Sequence, residues 1–187
     1  MMPKTLDEIE MTVNEMDDTY DANFGEWIRN EENGVIIGHS LQQYIMEYNT
    51  SDVIIVLKWI VKDWTLRSII VLVNKIITND IIFLMNDPLF RYEYNKKVII
   101  LQGLIYTWNS AYCSELLFAL TLNFPLYEKV HFIKNVLEGL EKDQSEEIIV
   151  YLEDKIGKKK SNEIKMHLIG KENSEIEPDL LNAFKIL

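Results

Sequence analysis

Asp80-Ile81-Ile82-Phe83, Pro88-Leu89-Phe90 and Leu101-Gln102-Gly103-Leu104 return later in the chain, in the same order. They reappear as Glu115-Leu116-Leu117-Phe118, Pro125-Leu126-Tyr127 and Leu137-Glu138-Gly139-Leu140, at offsets of 35, 37 and 36 residues. A period of this size, filled by two amphipathic segments, is the pattern of a solenoid of helix pairs, in which each unit buries its apolar face on the next. The expectation is an all-α chain whose product is an extended surface.

Working outward from the repeat, the flanking segments carry helical spacing too. Val53, Val56, Leu57, Ile60, Val61 and Trp64 recur at steps of three and four. Thr50-Ser51-Asp52 stands before them as an N-cap cluster. A second helix is expected over 66–77, stopping at Thr78-Asn79-Asp80. Ile and Val favour strands, so 53–57 and 69–73 also admit an α/β reading. The apolar pattern runs for about 12 residues with charges on one side, which favours helices. Within the repeat, helices are expected over 80–85, 94–107, 111–122 and 127–141, with turns at Asn86-Asp87-Pro88 and Asn123-Phe124-Pro125. Further helices are expected over 145–156, 160–168 and 178–187. The expected core is Val56, Leu57, Ile60, Leu72, Phe83, Leu101, Leu104, Leu117, Phe118, Leu137 and Leu140.

Residues 1–50 differ from the rest and read as an acidic N-terminal extension packing on a repeat domain over 51–187. Leu6, Ile9, Val13 and Met16 fit one helical face, and a helix is expected over 40–48 through Leu41, Tyr44, Ile45 and Tyr48. Between them, Asn33-Gly34 is a turn signal and 34–40 reads as a connection. The chain's net charge is −11, and residues 1–50 hold eleven Asp and Glu against Lys4 and Arg29, a net −9. That leaves −2 for the remaining 137 residues. A field of this sign repels phosphate backbones and anionic membranes and favours basic partners. The first 16 residues lack the basic start and apolar run of a secretory signal, and the apolar stretches at 53–61 and 69–77 are too short for a bilayer of about 30 Å. A cytoplasmic location is the expectation.

Over about 52–156 the chain resembles the HEAT-like helical-repeat proteins. The resemblance rests on the helix pairs of this length, the Asp/Pro turn at Asp87-Pro88, and the Leu-rich second helices around Leu101-Gln102-Gly103-Leu104 and Leu137-Glu138-Gly139-Leu140. Two features depart from it. The Val-Arg or Val-Lys step that follows the inter-helix Asp in that family is absent, and the acidic first 50 residues have no counterpart there. The resemblance implies a shape and not a chemistry.

The residue types that carry chemistry are sparse. His39, His131 and His167 lie at no metal-ligand spacing. Asp17, Asp18, Asp21, Asn23 and Glu26 suggest a calcium loop, but from Asp17 the required glycine falls on Ala22 and the terminal Glu on Ile28. Gly34-Val35-Ile36-Ile37-Gly38-His39-Ser40 lacks the Lys-Ser/Thr ending of a phosphate loop. Cys113, the sole cysteine, reads as a small core residue, and Lys158-Lys159-Lys160 as a solvated turn. No metal, cofactor or catalytic residue is expected.

Aromatic residues beside charges at turns are the best candidates for partner contacts. With the acidic N-terminal residues they give the set Asp17, Asp18, Asp21, Glu26, Asp63, Trp64, Tyr92 and Tyr94. The expected function is a non-catalytic protein-binding module, in its most specific form an immunity or inhibitor protein that neutralises a basic toxin through an acidic surface. A viral helical-bundle modulator of host signalling and an enzyme stay open as alternatives.

Overall fold

In the computed structural model the described residues are 30, 32, 34–169 and 178–185. Their regular elements are helical: α1 (Gly34–Glu47), α2 (Thr50–Val61), α3 (Leu66–Val73), a π-helical stretch (Asn74–Thr78), α4 (Ile81–Asn86), a 3-10 turn (Pro88–Phe90), α5 (Arg91–Ile105), α6 (Ser110–Leu120), α7 (Leu126–Leu137), α8 (Lys142–Ile156), α9 (Lys158–Ile169) and α10 (Pro178–Lys185). The all-α expectation holds, and no strand occurs among the described residues. The N-terminal helix expected over 6–16 lies outside them.

The closest packing joins helices that are not consecutive. One set runs α2, α5, α7, α9, each on the next, and a second runs α1, α3, α6, α8. The consecutive pair α8 and α9 also packs closely, and α10 lies against both α2 and α5. Within the second set, α6 and α8 run in the same direction. Ser110 Oγ donates to Glu147 Oε2 at 2.7 Å near one end, and Lys155 Nζ stands 5.3 Å from the Phe118 ring at the other.

Three inter-helix turns share one backbone geometry. The amides of Trp64, Trp108 and Leu140 donate to the carbonyls three residues back, those of Val61, Ile105 and Leu137, at 3.0, 2.9 and 3.2 Å. Thr65, Asn109 and Glu141 then take the same extended conformation at the next helix start. Thr65 and Asn109 also accept a backbone N–H on their side chains, the cap these residue types supply.

Helix ends are closed by side chains from neighbouring helices. The last carbonyls of a helix have no partner within it. Lys96 of α5 donates to Tyr48 O beyond α1 at 2.7 Å, and Gln102 of α5 to Asn135 O of α7 at 2.9 Å. Gln144 of α8 donates to Trp108 O beyond α5 at 3.0 Å, and Lys58 of α2 to Phe184 O of α10. The glycine of each Leu-Gln/Glu-Gly-Leu motif makes room for such approaches. A Cβ on Gly139 would stand 2.2 Å from the Gln102 side chain, and one on Gly103 would stand 2.6 Å from Ile54 and 2.8 Å from Phe184.

Several expectations need correction. The connection expected over 34–40 is the first half of α1, because Gly38 packs where a Cβ would meet the Lys75 side chain at 2.8 Å. The helix expected to reach 141 ends at Leu137, where the turn through Leu140 begins. The cap of α2 is Asn49, one residue before Thr50-Ser51-Asp52, its side chain accepting from Asp52 N at 2.9 Å. Of the expected core, Phe83 is 59% exposed and packs edgewise on Phe90 instead, while Phe118 is half-buried beneath Lys129 and Lys155. The other nine are buried. Cys113 is fully buried, which pushes its thiol up to about 12. Helical structure extends past the apolar stretch read at 69–77. The run Leu66–Asn86 has the length and composition to cross a bilayer, and here it packs on α1, α5 and α6.

Candidate functional site

A groove of about 690 Å³ follows α5 and α7. The face of α5 toward it carries Arg91, Tyr94, Asn95, Val98, Ile99 and Gln102, at helical steps of three, one, three, one and three. Helix α7 contributes His131, Asn135 and Glu138 at steps of four and three. The turn after α4 and the apolar Leu180 and Phe184 of α10 complete the walls. Gln102 touches the C-terminal turn of α7 from the C-terminal half of α5, so the two helices start at the same end of the groove.

A hydrogen-bonded row crosses the floor. Asn135 Nδ2 donates to Tyr94 Oη at 2.7 Å and lies 3.3 Å from His131 Nε2. Glu138 is bonded to His167 of α9. Burial pushes the Tyr94 hydroxyl up to about 12, the nearby Glu138 adding to the effect against the Asn135 hydrogen bond. Burial first, then Lys134, holds His131 below the ordinary histidine value, with Glu138 opposing. At pH 7 both side chains are therefore neutral and act as hydrogen-bonding groups. Arg91 and Asn95, both exposed, make no ion pair or hydrogen bond among the described residues and are open to a ligand.

Exposed apolar residues stand around the starts of both helices that form the groove. Leu89 is 87% exposed and Tyr92 76%, beside Pro88 and Arg91. On α7, Leu126 and Tyr127 are exposed, and the Tyr127 ring stacks on His131 with planes 4° apart. Leu89, Leu126 and Tyr127 belong to the repeated Pro-Leu-aromatic motif, which thus places an apolar edge at the same end of two neighbouring helices.

A smaller cavity of about 330 Å³ lies where the α2–α3 and α5–α6 turns meet. Trp64, Trp108 and Tyr112 line it, with Trp108 and Tyr112 edge to face at 6.4 Å. Lys58 reaches it as well, and burial lowers its ammonium to about 8.

The sequence candidates therefore fall at separate places. Asp17, Asp18, Asp21 and Glu26 lie outside the described residues. Asp63 is exposed beside Trp64, and Trp64 lines the smaller cavity. Tyr92 stands exposed in the first turn of α5, outside the groove lining. Tyr94, expected in a turn, is inside α5 and 6% exposed, so it lines the groove floor and does not project as an anchor. Sequence reasoning missed Arg91, Asn95, His131 and Asn135. Their signal was spacing alone: polar residues at i, i+4 on one face of each of two amphipathic helices. Among the described residues, no three His, Cys, Asp or Glu side chains form a metal-holding group. Comparison with family profiles, with curated proteins and with solved structures finds no match to this chain.

Proposed function

We propose that this chain is a non-catalytic protein-binding module, a short HEAT-like stack of helices, and most specifically an immunity or inhibitor protein that neutralises a basic toxin. The observation that carries the reading is the α5/α7 groove, with open polar groups at Arg91 and Asn95, together with exposed Leu89, Tyr92, Leu126 and Tyr127 around the starts of the two helices that form it. Apolar and aromatic side chains around a groove, unneeded by the core, are what interface anchors look like. The three matching turns and the packing of alternate helices support the repeat reading. The net −9 of residues 1–50 supports a basic partner, since exposed charge speeds encounter with its opposite.

The test begins with capture of the partner from the native host. Tyr92→Ala with Tyr127→Ala should raise the dissociation rate about tenfold or more, as expected of desolvated anchors. Neutralising Asp17, Asp18 and Asp21 together should lower the association rate and flatten its salt dependence, because exposed charges act over about a Debye length of 8 Å. An acidic partner, or binding indifferent to both changes, overturns the reading.

A further inference from the structure

We infer that the outward face of α8, with the edge of α6 beside it, docks a basic amphipathic helix of a partner protein. The inference rests on the reading of this chain as a binder of a basic protein and supplies the partner's shape. Core-facing positions of α8 are filled by Ser145, Ile148, Ile149 and Leu152. An exposed helix face needs no apolar residue for stability. Yet solvent-facing positions of α8 carry Val150 at 64% exposure and Tyr151 at 51%, consecutive residues that project about 100° apart and so flank the acidic face.

Charge around this pair has one predominant sign. Asp143, Glu146, Glu147 and Asp154 recur along the exposed face, and Glu115 stands exposed on α6. Among the described residues Glu115, Asp143, Glu146 and Asp154 have no ion-pair partner. Glu147 accepts only from Ser110. The cations nearby are Lys142 at the start of α8, Lys129 and Lys155 over the Phe118 ring, and Lys158, which pairs with Glu153 at 4.0 Å. Helix α8 has 15 residues, a stripe of about 22 Å at 1.5 Å per residue. That is the length of a partner helix of four turns. Apolar residues of such a helix would seat on Val150 and Tyr151, with Lys or Arg on either side facing Glu146, Asp154 and Glu115. An acidic occupant, or a second copy of this chain docking through the same face, would bring like charges together at these positions.

The experiment uses the full chain and three synthetic probes: a helical Lys/Leu amphipathic peptide, poly-lysine of equal charge, and a helical Glu/Leu peptide. Binding is followed by amide chemical shifts and calorimetry. The expected result is that the Lys/Leu peptide binds, with shifts confined to α6 and α8. Val150→Ser with Tyr151→Ser should weaken it about tenfold. Glu146→Lys with Asp154→Lys should weaken it and flatten its salt dependence. Circular dichroism checks that both variants keep the helical fold. Poly-lysine binding as tightly as the amphipathic peptide overturns the inference, as does binding of the Glu/Leu peptide. Shifts confined to the α5/α7 groove or to residues 1–30 also overturn it, while leaving the wider protein-binding reading intact. Loss of the captured partner on Tyr92→Ala with Tyr127→Ala tests that wider reading separately.

Discussion

Helices α2 and α9 occupy opposite extremes of burial. Ten consecutive residues of α2, from Asp52 to Val61, are buried, and the helix is enclosed by α1, α5 and α10. Helix α9 buries only Ser161 and Ile164 and meets α7 through Lys134–Glu163 at 3.3 Å and the His167–Glu138 contact. Intrinsic preference runs the other way. The Ile and Val of α2 are mediocre helix formers, while the Lys and Glu of α9 are good ones. Enclosure decides the conformation of α2, while α9 rests on its own helix preference, a narrow apolar contact through Ile164 and Leu168, and a few polar contacts.

The contrast breaks most visibly with core truncation. Ile60→Ala in α2 should cost about 2–5 kcal/mol in urea unfolding. In native-state hydrogen exchange, amides of α2 should open only with global unfolding and those of α9 at lower free energy. Equal protection in the two helices would erase the distinction. Gly139→Val should cost about 1–3 kcal/mol, because its Cβ displaces Gln102 from the α7 carbonyls. A neutral result there would show that the Gln102 cap contributes nothing.

Lys58 sharpens the comparison by pH. Burial in α2 lowers its ammonium to about 8, whereas the unfolded chain holds its proton to about 10.5. Below about pH 8 lysine is charged in both states and its desolvation opposes folding. Between these values the unfolded state binds more protons, so stability rises with pH. Wild type should therefore gain on Lys58→Met between about pH 7.5 and about pH 9.5. A parallel pH dependence of the two would place Lys58 in water. The smallest effect belongs to α9. Glu163→Gln removes exposed pairs to Lys134 and Lys160 and should change stability by less than about 1 kcal/mol.

The sequence made the helices of the repeated half legible, because α5 to α8 carry apolar residues at helical spacing and are stopped by Pro, Asn or Gly. It misplaced the start of α1, since Gly34 and Gly38 are breakers in isolation, and only the approach of Lys75 explains Gly38. The Leu-Gln-Gly-Leu motif was visible as a repeat, but its geometry was not. Gly103 sits within α5, and Gly139 lies beyond the end of α7, under the Gln102 of the first copy. Phe83 matched Phe118 in sequence, yet α4 is six residues long and its Phe turns outward. The groove was the least legible part. His131 and Asn135 are unremarkable in the sequence and become a site only because Tyr94, 41 residues before Asn135, bonds to it.

The lysines and glutamines that close helix ends across the structure have a consequence for how the chain comes apart. A linear array whose units finish their own ends can fray from one terminus, losing a unit at a time. Here α1 is finished by α5, α5 by α8, α7 by α5, and α10 by α2. Removing α2, α5 or α8 strands the carbonyls of another helix, far along the chain. Helices α1, α2, α5, α7, α8 and α10 should therefore melt as one all-or-none unit, with α9 opening before it, and fragments cut at the α5–α6 turn should fail to hold structure unless mixed.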